Sequence, residues 1–142
     1  IASSKAHRLR PFGIYVDADI DAAQWFLNDK EDVRSSYYLE HVATEFHIQG
    51  LELDWTCVAW DGNFRFENGG WSYNQFSGKK WNKIRSEEKR TYLKNTYRVL
   101  LTRARQGMVI FVPKGDDKDH TRKHKFYDET FQYLKSIGIK EL

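Results

Sequence analysis

The sequence predicts an α/β domain with a parallel sheet and a β-hairpin insertion, on three observations. A helix pattern beginning at Ser86 runs into the continuous apolar stretch 108–112, an α-then-β unit of the kind that builds parallel sheets. A second apolar, strand-like stretch occupies 55–60. Between the two, 64–67 and 71–74 alternate large and polar side chains around Asn68-Gly69-Gly70, which supplies the positive φ a tight turn requires. The 142 residues are the size of one compact domain with a real hydrophobic core. We therefore expect a single domain over 1–142, with the insertion at about 62–83.

Taken in order, Gly13-Ile14-Tyr15-Val16 is a short β-like run and 22–27 a helical turn or short helix. Two strand-like stretches, 38–46 and 55–60, flank the polar, glycine-bearing segment 47–52, which is expected to be a loop. Cys57 falls inside the second stretch and is expected to be buried. After the hairpin, Ser86 is a good N-cap, with Glu87 and Glu88 in the first turn, Arg103 and Arg105 in the last, and Gly107 as the stop. At about 100° per residue, Leu93, Tyr97, Leu100, Leu101 and Ala104 form one stripe that should face the sheet. On the same wheel Arg98 and Arg105 project nearly opposite, and Arg103 lies at the stripe's edge beside Val99. The strand 108–112 closes at Pro113, 114–125 is a charged loop, and a last helix over 126–137 carries Tyr127, Phe131 and Leu134 on one face before Gly138.

Charge and cysteine content narrow the function. A net charge of +3 and a pI near 8.9 permit a polyanionic partner without demanding one. Acidic residues crowd 17–21 and 29–32, basic ones 79–105 and 118–125, so a positive face is expected. No apolar run approaches the roughly 20 residues that span a bilayer, and we expect a soluble protein with no membrane partner. One cysteine makes neither an internal disulfide nor a cysteine-based metal site, which fits a cytoplasmic location. The chain begins at Ile1 with no basic-then-apolar leader, and is expected to be part of a longer protein. No metal site is expected. His120 and His124 have the spacing of a zinc pair but lack a third ligand. Asp17-Ala18-Asp19-Ile20-Asp21 has Ala22 and Asn28 where a calcium loop needs glycine and glutamate.

Two segments carry chemistry. Thr44-Glu45-Phe46-His47-Ile48-Gln49-Gly50-Leu51-Glu52-Leu53-Asp54 resembles motif V of superfamily 1 helicases, in which a Gln-Gly or Lys-Gly pair precedes an apolar residue and a glutamate. The stretch 97–110, with Thr102-Arg103-Ala104-Arg105-Gln106-Gly107 at its centre, resembles motif VI. The order and the separation of about 50 residues also match. Over nearly its whole length the chain is similar to an uncharacterised bacterial family of helicase-like P-loop proteins with a comparable Tyr-Leu-Lys and Glu-Leu tail.

This resemblance implies a RecA-like three-layer domain with a mostly parallel sheet, the second half of a two-domain, ATP-dependent DNA or RNA helicase or translocase. It implies ATP and Mg2+ in the cleft with an upstream RecA-like domain. That domain would hold the phosphates, because no Gly-x-x-x-x-Gly-Lys-Ser/Thr occurs here. The 142 residues alone are expected to be inactive. The resemblance assigns Gln49, Gly50 and Glu52 to the nucleotide, with Glu52 near the sugar, and makes Arg103 the catalytic arginine that meets the γ-phosphate. It turns Thr44 toward nucleic acid. Many members carry a histidine two residues after that threonine, where this chain has Phe46 and then His47. Lys79, Lys80, Lys83 and Arg85 stand behind Phe64, Phe66, Trp71, Tyr73, Phe76 and Trp81, either as a base-stacking and phosphate-binding surface or as the rim of a hairpin whose aromatics pack inward. Two other functions share these features: an ATP-independent nucleic-acid-binding module, and an NTPase switch acting on a protein partner.

Overall fold

The computed structural model describes residues 1–16 and 19–142, so Asp17 and Ala18 of the calcium-loop comparison lie outside the described residues. The fold is α/β. Strands β1 (Leu53–Ala59) and β5 (Ala104–Phe111) pair in parallel, in register from Trp55 with Gly107 to Ala59 with Phe111. Helix α2 (Glu87–Leu101) is the crossover that leads back to β5. It starts where Ser86 Oγ accepts from Lys89 N at 3.4 Å, and it buries Leu93, Tyr97 and Leu100 against Val58, Trp60 and Phe64. That face matches the predicted stripe as far as the helix extends.

At the other edge of β1, Ala2 forms parallel bridges to both Ala59 and Thr44. Ala2 N donates to Ala43 O at 3.0 Å and Ala59 N to Ile1 O at 2.9 Å, so a single residue extends the parallel array beyond β1. The two-stranded parallel sheet is smaller than the mostly parallel one expected. The other three strands form an antiparallel meander: β2 (Phe64–Glu67), β3 (Gly70–Ser77) and β4 (Lys80–Lys83).

The meander occupies the expected interval and holds one strand more than a hairpin. Its first turn has φ of 53° at Asn68 and 77° at Gly69, the positive pair that a two-residue hairpin loop needs. A second turn, with Gly78 at φ 64°, returns the chain into β4. The meander's aromatic rings point inward. Phe64 stacks on Trp71 with centroids 4.4 Å apart, Trp60 lies 4.5 Å from Tyr97, and Phe66 stacks on Tyr133 of α3 (Asp128–Ser136) at 4.4 Å. A short helix α1 (Ala22–Leu27) is capped by Asp21, which accepts from Ala23 N and Gln24 N, and it sends Trp25 into the core.

Several expected elements take another form. Residues 13–16 are not a strand: Gly13, at φ 76°, terminates a 3-10 turn over His7–Phe12, and Val16 joins a second small core with Ala2, Ala6, Leu9 and Ala59. Nor are 38–46 a strand, apart from the bridge at Thr44. Leu39 has φ 57°, and Thr44 O accepts from both His47 N and Ile48 N, so the chain curls immediately after the bridge.

The α2 helix ends sooner than its apolar stripe suggests. Thr102 Oγ1 donates to Arg98 O at 2.8 Å, and Thr102 N donates to Val99 O at 3.2 Å, closing the last turn. Ala104, Arg105 and Gly107 therefore belong to β5, and Arg103 to the junction before it. Gly107 is not a helix stop: a Cβ there would run into the Trp55 ring. Cys57 is exposed, because Thr56 and Val58 are the residues of β1 that point toward α2. Tyr127, which precedes α3, is buried together with Thr130 and Leu134 of the helix, whereas Phe131 is half-buried with Lys135 Nζ 5.5 Å from its ring centre.

Candidate functional site

The parallel pair has two ends of different character. At its amino end residues 50–52 meet the start of β5, whereas the segment that carries them begins near the other end of β1, at Thr44 beside Ala2. The segment opens with a tight turn in which His47 Nδ1 lies 3.0 Å from both Thr44 N and Thr44 Oγ1. A backbone N–H can only donate, so Nδ1 is the acceptor and the ring proton sits on Nε2. Thr44, only 2% exposed, is held inside this turn. Gly50 then adopts φ 82° with nothing within 4 Å of where a Cβ would stand, so the glycine is required by its conformation and leaves open space beside the backbone. Gln49 and Glu52 are exposed.

Arg103 is drawn onto this segment. Its Nη1 donates to Leu51 O at 3.4 Å, its Nη2 to Thr102 Oγ1 at 3.3 Å, and its own carbonyl accepts from Leu53 N at 2.9 Å. The Nε is buried and has no hydrogen-bond partner among the described residues. Both side-chain contacts are long for N–H···O bonds, so the guanidinium is seated without being locked. Beside it, Arg105 Nε lies 3.9 Å from Glu52 and 4.0 Å from Asp54, all three side chains largely in solvent. The segments carrying Gly50, Glu52 and Arg103 thus converge, although about 50 residues separate them in sequence.

The carboxyl end of the pair is closed. Here Asp61, wholly buried, accepts from Arg8 N at 3.0 Å, Gly62 N at 2.7 Å and Tyr127 Oη at 3.4 Å. Tyr97 of α2 donates to Asn63 Oδ1 at 2.6 Å and accepts from Asp61 N at 3.2 Å. Burial pushes the Asp61 carboxyl up to about 6 against the pull of those donors, and it also raises the Tyr97 and Tyr127 hydroxyls. A second buried carboxylate, Glu45, accepts from Ser4 N and Ser4 Oγ at 2.7 Å, from Tyr92 Oη at 3.2 Å and from Thr96 Oγ1 at 3.3 Å. Sequence reading singled out neither acid. The one signal for Asp61 was an Asp-Gly-Asn directly after an apolar strand, and that pattern suits an exposed turn equally well.

The basic candidates lie on the meander. Lys79 and Lys80 are exposed at the β3–β4 turn, and Arg85 is exposed beyond β4. Lys83 Nζ approaches Glu67 at 3.8 Å. Burial pushes the Glu67 carboxyl up, but the Ser72 hydroxyl and the Arg65 and Lys83 charges outweigh it and hold the group below its ordinary value. Among the described residues, no hydrogen bond or ion pair joins these four to Thr44 or His47. His120 Nε2 sits 3.0 Å from Lys79 O, His124 Nδ1 lies 3.9 Å from Asp128, and no group of three metal-ligating side chains occurs among the described residues. Among those residues, too, no helix is long and apolar enough to cross a membrane.

Comparison with known proteins places the chain in a family. No curated protein and no solved structure matches the chain. A family model does, the Schlafen group 3, DNA/RNA helicase domain, over residues 2–114. That interval takes in both converging segments, the meander and all of β5, and is most of the chain. The chain belongs to the Schlafen group 3, DNA/RNA helicase domain family.

Proposed function

We propose that the chain is the second RecA-like domain of a superfamily 1-type, ATP-dependent DNA or RNA helicase or translocase. In this reading it completes a nucleotide site shared with an upstream RecA-like domain and supplies part of the nucleic-acid track. The observation that carries the reading is the seat of Arg103 on the Leu51 carbonyl, 3.4 Å away, which joins the two motif-like segments at one end of the parallel pair. Membership of a helicase-domain family supports it.

ATP with Mg2+ would supply the phosphoryl group that passes to water, held mainly by the upstream domain. On this chain, Gly50 leaves the backbone open to a ligand, Gln49 and Glu52 offer polar groups from the same exposed segment, and Glu52 would accept from a sugar hydroxyl. Arg103 would present its fork of donors to charge developing on the phosphoryl oxygens, for which the long contacts of its Nη1 and Nη2 leave it capacity. Among the nucleic-acid candidates, Lys79, Lys80, Lys83 and Arg85 suit phosphate contacts. Thr44 and His47, bonded to each other, would shape the turn beside the track.

The test is steady-state ATP hydrolysis by the full-length protein with saturating nucleic acid. Arg103→Ala should lower turnover by roughly 10³-fold while sparing most nucleotide affinity, and Arg103→Lys should rescue little. Arg98→Ala and Arg105→Ala should cost much less. An Arg103→Ala protein that hydrolyses ATP like its parent, or that fails only by unfolding, makes Arg103 a junction residue and removes the reading's support.

A further inference from the structure

The charged loop 114–125 lies almost wholly beyond the residues that match the helicase family, yet it is tightly built. Asp119 is its hub. One carboxylate oxygen accepts from Thr121 N at 2.8 Å and Thr121 Oγ1 at 2.6 Å; the other accepts from Arg122 Nε at 2.8 Å and Arg8 Nη2 at 3.2 Å. Backbone bonds from Asp116 N to Arg122 O and from Arg122 N to Asp119 O close the loop on itself.

Two further bonds sew it to the β3–β4 turn, some 40 residues away. His120 Nε2 meets Lys79 O at 3.0 Å, and Trp81 Nε1 donates to Thr121 O at 2.8 Å. A carbonyl can only accept, so Nε2 of His120 carries a proton. The seam brings exposed Lys79 and Lys80 beside exposed Lys118, with exposed Asp117 and half-buried Asp116, which accepts from Lys118 N at 2.9 Å, as local counterweights. Gathering like charges in one place is unfavourable unless an anion meets them. The anion-facing character of the seam is set by its rings, whose faces already carry the protein's own cations. The Arg8 guanidinium lies 5.0 Å from the centre of Phe76, that of Arg122 5.5 Å from Phe12, and that of Arg65 4.2 Å from Phe126. The surface therefore offers charge and few stacking platforms.

We propose that the seam between the β3–β4 turn and the 116–123 loop is a binding surface for the phosphate backbone of nucleic acid, in which Lys118, held beside the turn by the His120–Lys79 bond, acts with Lys79 and Lys80. The proposal extends the nucleic-acid reading above, and rests on it, by adding a second cationic segment outside the family core. Because backbone charge is what it meets, it should bind single strands and duplex alike.

The experiment measures binding of the full chain to a labelled poly-dT of about 30 nucleotides, to a duplex of about 20 base pairs and to phosphatidylserine-containing vesicles, at salt from about 50 to 200 mM. Combined Lys79→Gln, Lys80→Gln and Lys118→Gln should weaken both nucleic acids at least 10-fold at low salt. It should also reduce the salt slope by about 2 to 3, the share of three phosphate contacts. Asp119→Asn should weaken binding too, although it makes the loop more positive, because it unpins Thr121 and Arg122. Tighter binding by Asp119→Asn would mean diffuse charge and overturn the built surface. A parent that binds nucleic acid while the lysine variant matches it overturns this surface alone. A parent that binds no nucleic acid overturns both this surface and the broader reading, and binding confined to vesicles assigns the charge to a membrane and overturns it as well.

Discussion

The amino and carboxyl ends of the β1–β5 pair are built from the same two strands and the same crossover helix, yet they differ in almost every physical respect. At the carboxyl end Asp61 is wholly buried and bonded to backbone at 2.7 and 3.0 Å, and Tyr97 reaches Asn63 at 2.6 Å. At the amino end Arg103 makes side-chain contacts of only 3.3 and 3.4 Å, and Glu52 keeps 74% of its side chain exposed. A buried polar network must be satisfied internally or it destabilises the fold, so the closed end works as a structural node. Polar groups that are loosely held and open to solvent cost little to leave available, which is what half of a shared site requires.

If that contrast is correct, substitutions at the two ends should separate function from stability. The largest effect expected is the roughly 10³-fold loss of full-length turnover in Arg103→Ala, equivalent to about 4 kcal/mol of transition-state stabilisation, with an unchanged urea midpoint. Next comes Asp61→Ala, which strands the Arg8 and Gly62 amides and the Tyr127 hydroxyl. At pH 5 it should lower the unfolding free energy by about 3 kcal/mol in urea titrations of the chain. A small change there would make the closed end no more demanding than the open one.

The pH dependence sharpens the comparison. Folding raises the Asp61 carboxyl from an ordinary 3.8 to about 6, so the folded state holds this proton more tightly than the unfolded state. Its contribution is fully present below about pH 4, falls as pH rises, and is lost above about 6, a change of about 2 to 3 kcal/mol. Urea midpoints across that window should fall for the parent and stay level on this account for Asp61→Asn; equal slopes would assign the titration elsewhere. The smallest effect belongs to the open end. Gly50→Ala, at φ 82° but with free space around it, should cost about 1 kcal/mol from backbone strain alone. A larger loss would show that the 49–52 segment is packed more tightly than its exposure indicates.

Sequence legibility followed the range of the interactions involved. Ser86 and the paired turn residues Asn68 and Gly69 act within a few residues of themselves, and the α2 start and the first hairpin turn stand where such signals place them. The end of α2 is not legible in the sequence, because the stripe Leu93, Tyr97, Leu100, Leu101, Ala104 continues in phase past the helix. Thr102 closes the helix locally, and pairing of Leu53 N with Arg103 O then draws the chain into β5. Arg103 is presented by a strand entrance, with Leu51 as its seat, and not by the last turn of a helix.

By itself the sequence determined the α/β class, the crossover helix, the place of the meander and the two motif-like segments, because period and turn chemistry are encoded in neighbouring residues. Tertiary structure alone decided that Ala2 would bridge Thr44 and Ala59, that Cys57 would face outward, that Asp61 and Glu45 would be buried, and that residues 116–123 would be sewn to the β3–β4 turn. Each of these joins positions some 40 or more residues apart or sets which face of a strand is covered. Such outcomes depend on which surfaces the whole chain can bury together while pairing most of its buried polar groups, a condition that no local window of residues contains.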